Sequence, residues 1–160
     1  MFRITQENAS GLFRQNANMV YRIAYGIVRS SEEAEDVLME CFSAAIDHEG
    51  FNDEQHFRHW LIRTAEHRAL NVVKSARVQR SVPLDDAENS LSSRDRETNE
   101  LLDTVMRLPD IIKTVIYMYY YEDMPAAEIA QALGITENTV YKRLARGRKM
   151  LRLDLKEELI

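Results

Sequence analysis

Positive charge is concentrated between Thr136 and Arg152, where a single acidic residue, Glu137, accompanies six basic ones. The basic residues are Lys142, Arg143, Arg146, Arg148, Lys149 and Arg152. Six basic residues less one acidic residue give a local net charge of +5, although the whole chain has a formal net charge of −5. A basic helix neutralises DNA phosphates, and side chains near its N-terminus contact base edges. The pattern favours one local DNA-binding surface over a solvated helix that binds nothing.

The residues before this basic segment have the chemistry of a short helix followed by a tight turn. Pro125 suits the first turn of a helix, where its missing N–H is not needed, and residues 126–133 favour helix. Gly134 tolerates a positive φ, so the chain can reverse there, and the Thr136 hydroxyl can cap the next helix. The sequence therefore predicts a helix-turn-helix. Its outward-facing residues are Tyr141, Lys142, Arg143 and Arg146.

The first half of the chain has three segments with apolar residues spaced at three and four, which predicts three helices. The first spans residues 9–28, as one helix or as two packed pieces. The second has Ser31 as its predicted cap, four acidic residues directly after it, and an apolar side that includes Cys41 and Ile46. The third spans residues 57–75. These helices are expected to close one core.

The third helix and its flanks are basic and aromatic. The segment from residue 58 to residue 80 carries six basic residues against Glu66 alone, with Phe51 and Trp60 nearby. Positive charge together with flat side chains suits a separated DNA strand, which needs phosphate contacts and surfaces on which bases stack. A lone tryptophan in an amphipathic helix is also compatible with a core position, so both roles stay open for Trp60.

The periodicity is lost from residue 76 to residue 98, a stretch that contains Pro83 and four serines. A helical pattern resumes at Leu101, and residues 111–121 predict a strongly apolar helix that leads into the helix-turn-helix. The predicted fold class is all-α, with two small helical domains joined by a flexible linker and the helix-turn-helix in the second. The predicted boundaries are residues 1–76, 77–98 and 99–160.

Several classes of protein are excluded or disfavoured by the composition. The single cysteine, Cys41, excludes an intramolecular disulfide, and its apolar neighbours favour a buried, inert thiol over a redox sensor. The N-terminus lacks an apolar secretion signal, and no run of eighteen apolar residues predicts a membrane span, so we expect a cytoplasmic protein. His56, His59 and His67, with Glu66, resemble a zinc site only weakly, because no thiolate or second ligand cluster accompanies them. We expect no enzyme, no metal and no cofactor.

Nearly the whole chain resembles the bacterial RNA polymerase sigma factors of the extracytoplasmic-function (ECF) group. The run LPDIIKTVIYMYYYEDMPAAEIAQALGITENTVYKRLARGRKMLR is similar to region 4 of that family. The runs YRIAYGIVRSSEEAEDVLMECF and FRHWLIRTAEHRALNVVK are similar to region 2. The resemblance implies a subunit that directs core RNA polymerase to specific promoters and assists promoter opening. It also implies an anti-sigma partner released by a stress signal, and a chain that is monomeric when free.

The resemblance also implies three sets of site residues. Residues expected to bind core polymerase are Glu35, Asp36, Met39 and Glu40. Residues expected to contact the minus-10 promoter element are Trp60, Arg63, His67, Asn71 and Lys74. Residues expected to contact the minus-35 element are Thr139, Tyr141, Lys142, Arg143 and Arg146. The chain departs from the family pattern at Met39, in the polymerase-binding helix, and at His67, Asn71, Tyr141 and Lys142. The four departures in the DNA-binding sets change the donors and acceptors offered to base edges.

An ordinary helix-turn-helix transcription regulator, with an N-terminal helical sensory or dimerisation domain, is the competing interpretation. It explains residues 123–152 equally well and predicts a dimer on a palindromic operator. It leaves the acidic second helix and the basic, aromatic third helix without a purpose.

Overall fold

The computed structural model describes residues 1–80 and 104–158, and these residues confirm the all-α prediction. Apart from one antiparallel bridge between Phe2 and Phe51, the described residues form helices, turns and irregular segments. The chain divides into two compact units, Met1–Ser90 and Leu91–Ile160. Of the predicted linker, residues 77–80 continue a helix of the first unit, and the remainder lies outside the described residues.

The first unit packs three helices, α1 (Ala9–Val28), α2 (Ser31–Asp47) and α3 (Glu54–Arg80). Helix α1 is continuous and ends where Arg29 adopts a left-handed conformation (φ 57°). The residues that close the core are fully or almost fully buried, among them Val20, Val37, Cys41, Phe57, Leu61 and Ile62. The apolar spacing therefore located the buried faces of these helices.

Two details of the first unit differ from the sequence predictions. The N-cap of α2 is Ser30, whose extended backbone lets its hydroxyl accept the Glu33 N–H at 3.3 Å, and Ser31 is the first helical residue. Ile46 was assigned to the buried side of α2, but 59% of its surface is exposed. Ile46 lies near the end of α2, beside an apolar cavity that it lines together with Phe13 of α1.

The N-terminal segment is joined to the loop before α3. The Phe2 N–H donates to the Phe51 carbonyl at 2.6 Å, and the Phe51 N–H donates to the Phe2 carbonyl at 2.7 Å. Phe51 is only 1% exposed, and its ring packs edge-on against Phe57. Phe51 is therefore a core residue, and not an exposed aromatic surface beside α3.

The second unit contains α4 (Asp110–Tyr120), α5 (Ala126–Leu133) and α6 (Glu137–Glu158). Gly134 ends α5 with φ 69° and ψ 34°, the left-handed conformation that a glycine adopts at little cost. The Thr136 hydroxyl accepts the Thr139 N–H at 3.1 Å and caps α6. Helix, tight turn and capped helix follow one another as the sequence predicts.

Helix α4 supports the helix-turn-helix from behind. Its apolar side is buried, and α6 packs on it at Gly147, where an added Cβ would lie 2.7 Å from Ile116 Cδ1. Two helices approach this closely only where one of them lacks a side chain. Gly147 therefore determines how near α6 lies to α4.

Candidate nucleic-acid interface

Helix α6 presents four of the five predicted minus-35 residues on one face. Thr139, Lys142, Arg143 and Arg146 follow the spacing of three and four that places side chains above one another. Lys142 and Arg146 are exposed, and Thr139 and Arg143 are half-buried. The Thr139 hydroxyl lies 2.7 Å from the Thr136 hydroxyl, so the cap of α6 also orients the first residue of this face.

Tyr141 lies on the adjacent face of α6 and is 55% exposed. Its hydroxyl donates to Glu137 Oε1 at 3.3 Å, across one turn of the helix. The Glu137 charge, followed by this hydrogen bond, raises the pKa of Tyr141, which keeps the phenol neutral at physiological pH. Tyr141 is therefore an exposed, uncharged hydrogen-bonding group at the start of a basic helix.

Arg148 differs from the other basic residues of the segment because helix α4 holds it. Its Nε donates to the Tyr120 hydroxyl at 2.5 Å. Its guanidinium carbon lies 5.6 Å from the ring centroid of Tyr119 and 5.7 Å from that of Tyr120. The sequence predicts no DNA contact for Arg148 beyond its place in the basic segment, and the structure gives it two aromatic partners in the same unit.

Helix α3 brings the predicted minus-10 residues to one face. Arg63, His67, Asn71 and Lys74 are all exposed, and their spacing of four, four and three keeps them in one row along the helix. Trp60 begins this row and is half-buried.

Trp60 combines the two roles left open by the sequence. Its ring contacts His48 and Phe51 edge-on, with centroids 5.4 Å and 5.5 Å apart. Since Phe51 is buried, these contacts attach one side of the indole to the core, while the partial exposure of Trp60 leaves area for another ring. The residue is neither a fully buried core side chain nor a freely rotating surface one.

Helix α2 presents the predicted polymerase-binding residues Glu35, Asp36, Met39 and Glu40, and all four are exposed. Met39 is 59% exposed, which is unusual for a long apolar side chain. Glu40 accepts from Arg68 at 3.1 Å and so links α2 to α3. The acidic surface therefore has an apolar residue at its centre and an ion pair at one margin.

Two cavities adjoin these surfaces, and neither was predicted from the sequence. One, of about 390 Å³, lies between α2 and α3 and is lined by residues that include Glu40, Arg68 and Asn71, so it joins the predicted polymerase and minus-10 sets. The other, of about 400 Å³, is apolar and is lined in part by Phe13, Met39 and Phe42. Ile46, which the apolar spacing assigned to the core, lines the second cavity instead. This misplaced apolar residue is the signal in the sequence for the second cavity.

The histidines and the cysteine considered for metal binding or catalysis form no such site, and His56 has a structural role. His56 Nδ1 accepts the Asn52 N–H at 3.0 Å, which fixes the loop before α3. Within residues 1–80 and 104–158, no group of three histidine, cysteine, aspartate or glutamate side chains is placed to hold a metal ion. Burial raises the pKa of the Cys41 thiol to about 12, so the nucleophilic thiolate is suppressed. No described helix is long and apolar enough to cross a bilayer.

The two halves of the chain match two family models in sequence order. Residues 12–78 match Sigma-70 region 2, and residues 98–151 match Sigma-70, region 4. The ECF RNA polymerase sigma factor SigL of Mycobacterium tuberculosis is 31% identical over 155 residues, which cover 91% of this chain and 88% of SigL. RNA polymerase sigma factor SigV of Bacillus subtilis is 27% identical over 143 residues, which cover 86% of this chain and 85% of SigV.

The fold also has a relative among solved structures. CnrH, in complex with the cytosolic domain of CnrY, superposes with a TM-score of 0.71 over 96% of this chain and 90% of that chain. The sequences are 20% identical, so this similarity concerns the fold alone.

Proposed function

This chain belongs to the sigma-70 family and is an RNA polymerase sigma factor of the ECF group, and from that premise we propose how its helices divide promoter recognition. Its function is to direct core polymerase to promoters in transcription initiation. A regulator with an N-terminal sensory or dimerisation domain is not favoured, because region 2 and region 4 follow one another along the chain. RNA synthesis belongs to the polymerase, and we assign no catalytic step to this chain.

The minus-35 element is contacted by the face of α6 that carries Thr139, Lys142, Arg143 and Arg146, with Tyr141 beside it. The observation that carries this assignment is the capped turn before α6, which holds a basic face at the start of a helix. Helices presented in this way enter the major groove, where the first turns reach base edges and the flanking basic residues reach phosphates.

The minus-10 element is contacted by the row on α3. Eleven residues separate Arg63 from Lys74, which corresponds to about 16 Å along a helix, or roughly five nucleotide steps of one strand. Positive charge along this length binds phosphates, while His67 and Asn71 offer hydrogen bonds to bases. Trp60, supported by Phe51, supplies the ring on which an unpaired base stacks, so this unit assists strand separation.

Core polymerase is bound by Glu35, Asp36, Met39 and Glu40 on α2. An exposed methionine surrounded by carboxylates suits a partner with a basic, partly apolar surface, because the thioether adapts to an apolar contact and the acids attract the flanking charges. Since the polymerase acts in the cytoplasm, we place the protein there, as a monomer when it is free.

An anti-sigma protein is the further partner that we propose. The solved relative CnrH was captured with the cytosolic domain of CnrY, which is the precedent for a protein partner on this fold. Such a partner would hold the chain away from polymerase until a stress signal releases it.

Run-off transcription with core polymerase and genomic fragments tests the function and identifies promoters. On a promoter found in this way, the double substitution Arg143→Ala and Arg146→Ala should weaken binding of the reconstituted holoenzyme. The affinity falls as salt rises, and the double substitution should make this fall less steep. The magnitude of the slope of log K against log salt, called the salt slope below, should decrease by about 1.8, since each lost phosphate contact removes about 0.9. Arg107→Ala, which removes an exposed arginine of the same unit outside α6, is the control and should leave the slope unchanged. An unchanged slope in the double variant would contradict the assignment of α6, and failure to direct any start would contradict the function.

A further inference from the structure

We propose that Arg148 is a positioning residue, which fixes the orientation of α6 on α4 through Tyr119 and Tyr120 and thereby sets the specificity of minus-35 recognition. The inference rests on the proposed role of α6 in binding that element. It assigns to Arg148 a different task from that of Arg143 and Arg146, although all three are arginines of one basic helix.

The contacts of Arg148 have the geometry of a clamp. The rings of Tyr119 and Tyr120 meet edge-on, with centroids 5.0 Å apart and planes at 76°. The guanidinium lies within 6 Å of both ring centroids, a range in which a cation is attracted to the face of an aromatic ring. The hydrogen bond from Nε to the Tyr120 hydroxyl adds a direction to this attraction. A planar, five-donor guanidinium can satisfy these contacts together, whereas an ammonium cannot.

The clamp joins the end of α4 to the part of α6 that packs closely on it. Tyr120 is the last residue of α4, and its hydroxyl accepts the hydrogen bond from Arg148. Arg148 also follows Gly147, where α6 lies so close to α4 that an added Cβ would meet Ile116. Gly147 allows the approach, and Arg148, the next residue along α6, opposes a tilt of α6 relative to α4.

The orientation of α6 at Arg148 determines where the DNA-contacting residues of the same helix lie. Nine residues separate Thr139 from Arg148, which is about 13 Å of helix. A tilt of about 5° at Arg148 would therefore displace Thr139 by about 1 Å, which is enough to break a hydrogen bond to a base edge. Contacts to phosphates made by long, flexible side chains would adjust to the same displacement.

A phosphate ligand is the alternative role for Arg148, and salt dependence separates the two. Loss of a phosphate contact weakens binding to every DNA sequence and lowers the salt slope by about 0.9. Loss of a positioning contact weakens binding to the correct element more than to an incorrect one, and leaves the slope unchanged. Tyr120→Phe is a sensitive variant for this purpose, because it removes the hydrogen-bond acceptor without altering charge or ring.

The experiment uses holoenzyme reconstituted from the full chain and core polymerase, on a promoter identified by run-off transcription and on a copy with its minus-35 element scrambled. Affinities for both duplexes are measured over a range of salt for the unaltered chain, Tyr120→Phe, Arg148→Gln, Arg148→Lys and the double variant Tyr120→Phe with Arg148→Gln. Arg143→Ala with Arg146→Ala is the positive control for lost phosphate contacts. Thermal melts by circular dichroism verify that each variant is folded.

We expect Tyr120→Phe and Arg148→Gln each to reduce the preference for the correct element by about fivefold or more, the discrimination of one well-placed base contact, with unchanged slopes. The double variant should be no worse than Arg148→Gln, because both changes break one clamp. Arg148→Lys should lose the preference for the correct element as Arg148→Gln does, although it keeps the positive charge. If Arg148→Gln unfolds the unit, Tyr120→Phe and Arg148→Lys decide the question.

Three results would overturn the inference. The first is a salt slope whose magnitude falls by about 0.9 in Arg148→Gln while Tyr120→Phe keeps its affinity and preference. The second is an Arg148→Lys chain with the same preference as the unaltered chain, and the third is an unchanged preference in every variant. If the control pair Arg143→Ala and Arg146→Ala also leaves the slope unchanged, the proposed role of α6 itself has failed, which distinguishes the two outcomes.

Discussion

Substituting Gly147 by alanine tests whether helix packing in the second unit depends on the close approach of α6 to α4. The added Cβ would lie 2.7 Å and 2.8 Å from Ile116 Cδ1 and Cγ1, and 3.0 Å from Ile112 Cγ2. Carbon atoms in favourable contact are about 3.5–4.0 Å apart, so the new methyl group is too close to both side chains. Ile112 and Ile116 are 4% and 2% exposed and have little free space into which to move.

Two opposing terms determine the magnitude of the effect. Alanine in a helix interior is favoured over glycine by about 0.5–1 kcal/mol, whereas overpacking a core costs about 1–3 kcal/mol. We therefore expect Gly147→Ala to lower the free energy of unfolding of the second unit by about 1 kcal/mol, within a range of about 0–2.5. A loss of this size lowers the melting temperature of a small domain by about 4–8 °C.

Far-UV circular dichroism of the full chain follows the melting of both units, and the fluorescence of Trp60, the single tryptophan, follows the first unit. Gly11→Ala is the matched control, because nothing lies within 4 Å of the Cβ that it would add in α1. That control should be neutral or stabilising by up to about 1 kcal/mol. Ile116→Val removes Cδ1, the nearest atom, so the double variant Gly147→Ala with Ile116→Val should be more stable than the sum of the single changes predicts.

A Gly147→Ala chain that is more stable than the unaltered one would refute the reasoning, because the helix-propensity term would then act alone. Strict additivity with Ile116→Val would refute it as well, since the two side chains would then not share a contact.

Three further predictions concern the first unit. Ser30→Ala should destabilise it by about 1 kcal/mol, the typical value of an N-cap, whereas Ser31→Ala should have a smaller effect; urea unfolding followed by Trp60 fluorescence decides between the two caps. Burial raises the pKa of Cys41 to about 12 against a usual value of 9.0, so stability should be lost as pH rises from about 9 towards 12, and a thiol reagent at pH 8 should react only after unfolding. Prompt reaction of the folded chain would show that the thiol is accessible. Glu40→Ala should weaken binding to core polymerase while changing stability by less than about 1 kcal/mol, because its exposed pair with Arg68 is weak; a large loss of stability would show that Glu40 is structural.

Local chemistry explains why so much of the second unit was predictable. A glycine that adopts a positive φ and a threonine that caps a helix act within a few residues of their own position, so Gly134 and Thr136 are recognisable without knowledge of the fold. The same holds for the spacing that aligns exposed side chains on α3 and α6. The failed predictions at Ile46 and Phe51 concern burial, which depends on the elements that pack against a residue. The cap of α2 was also predicted one residue too late, at Ser31, because adjacent serines have the same local chemistry.

The sequence by itself determined the fold class, the order of two helical units and the faces on which charge is displayed, because helical periodicity and turn chemistry are written in nearby residues. Only the tertiary structure decided which basic side chains of α6 are exposed to solvent and which contact another helix of the same unit. Arg146 and Arg148 are both basic residues of one segment in the sequence, but only the structure pairs Arg148 with Tyr120, which lies 28 positions away. Such a pairing depends on how α6 packs on α4, and no local pattern records it. The bridge between Phe2 and Phe51 has the same origin, since a contact between distant residues exists only after the helices have assembled.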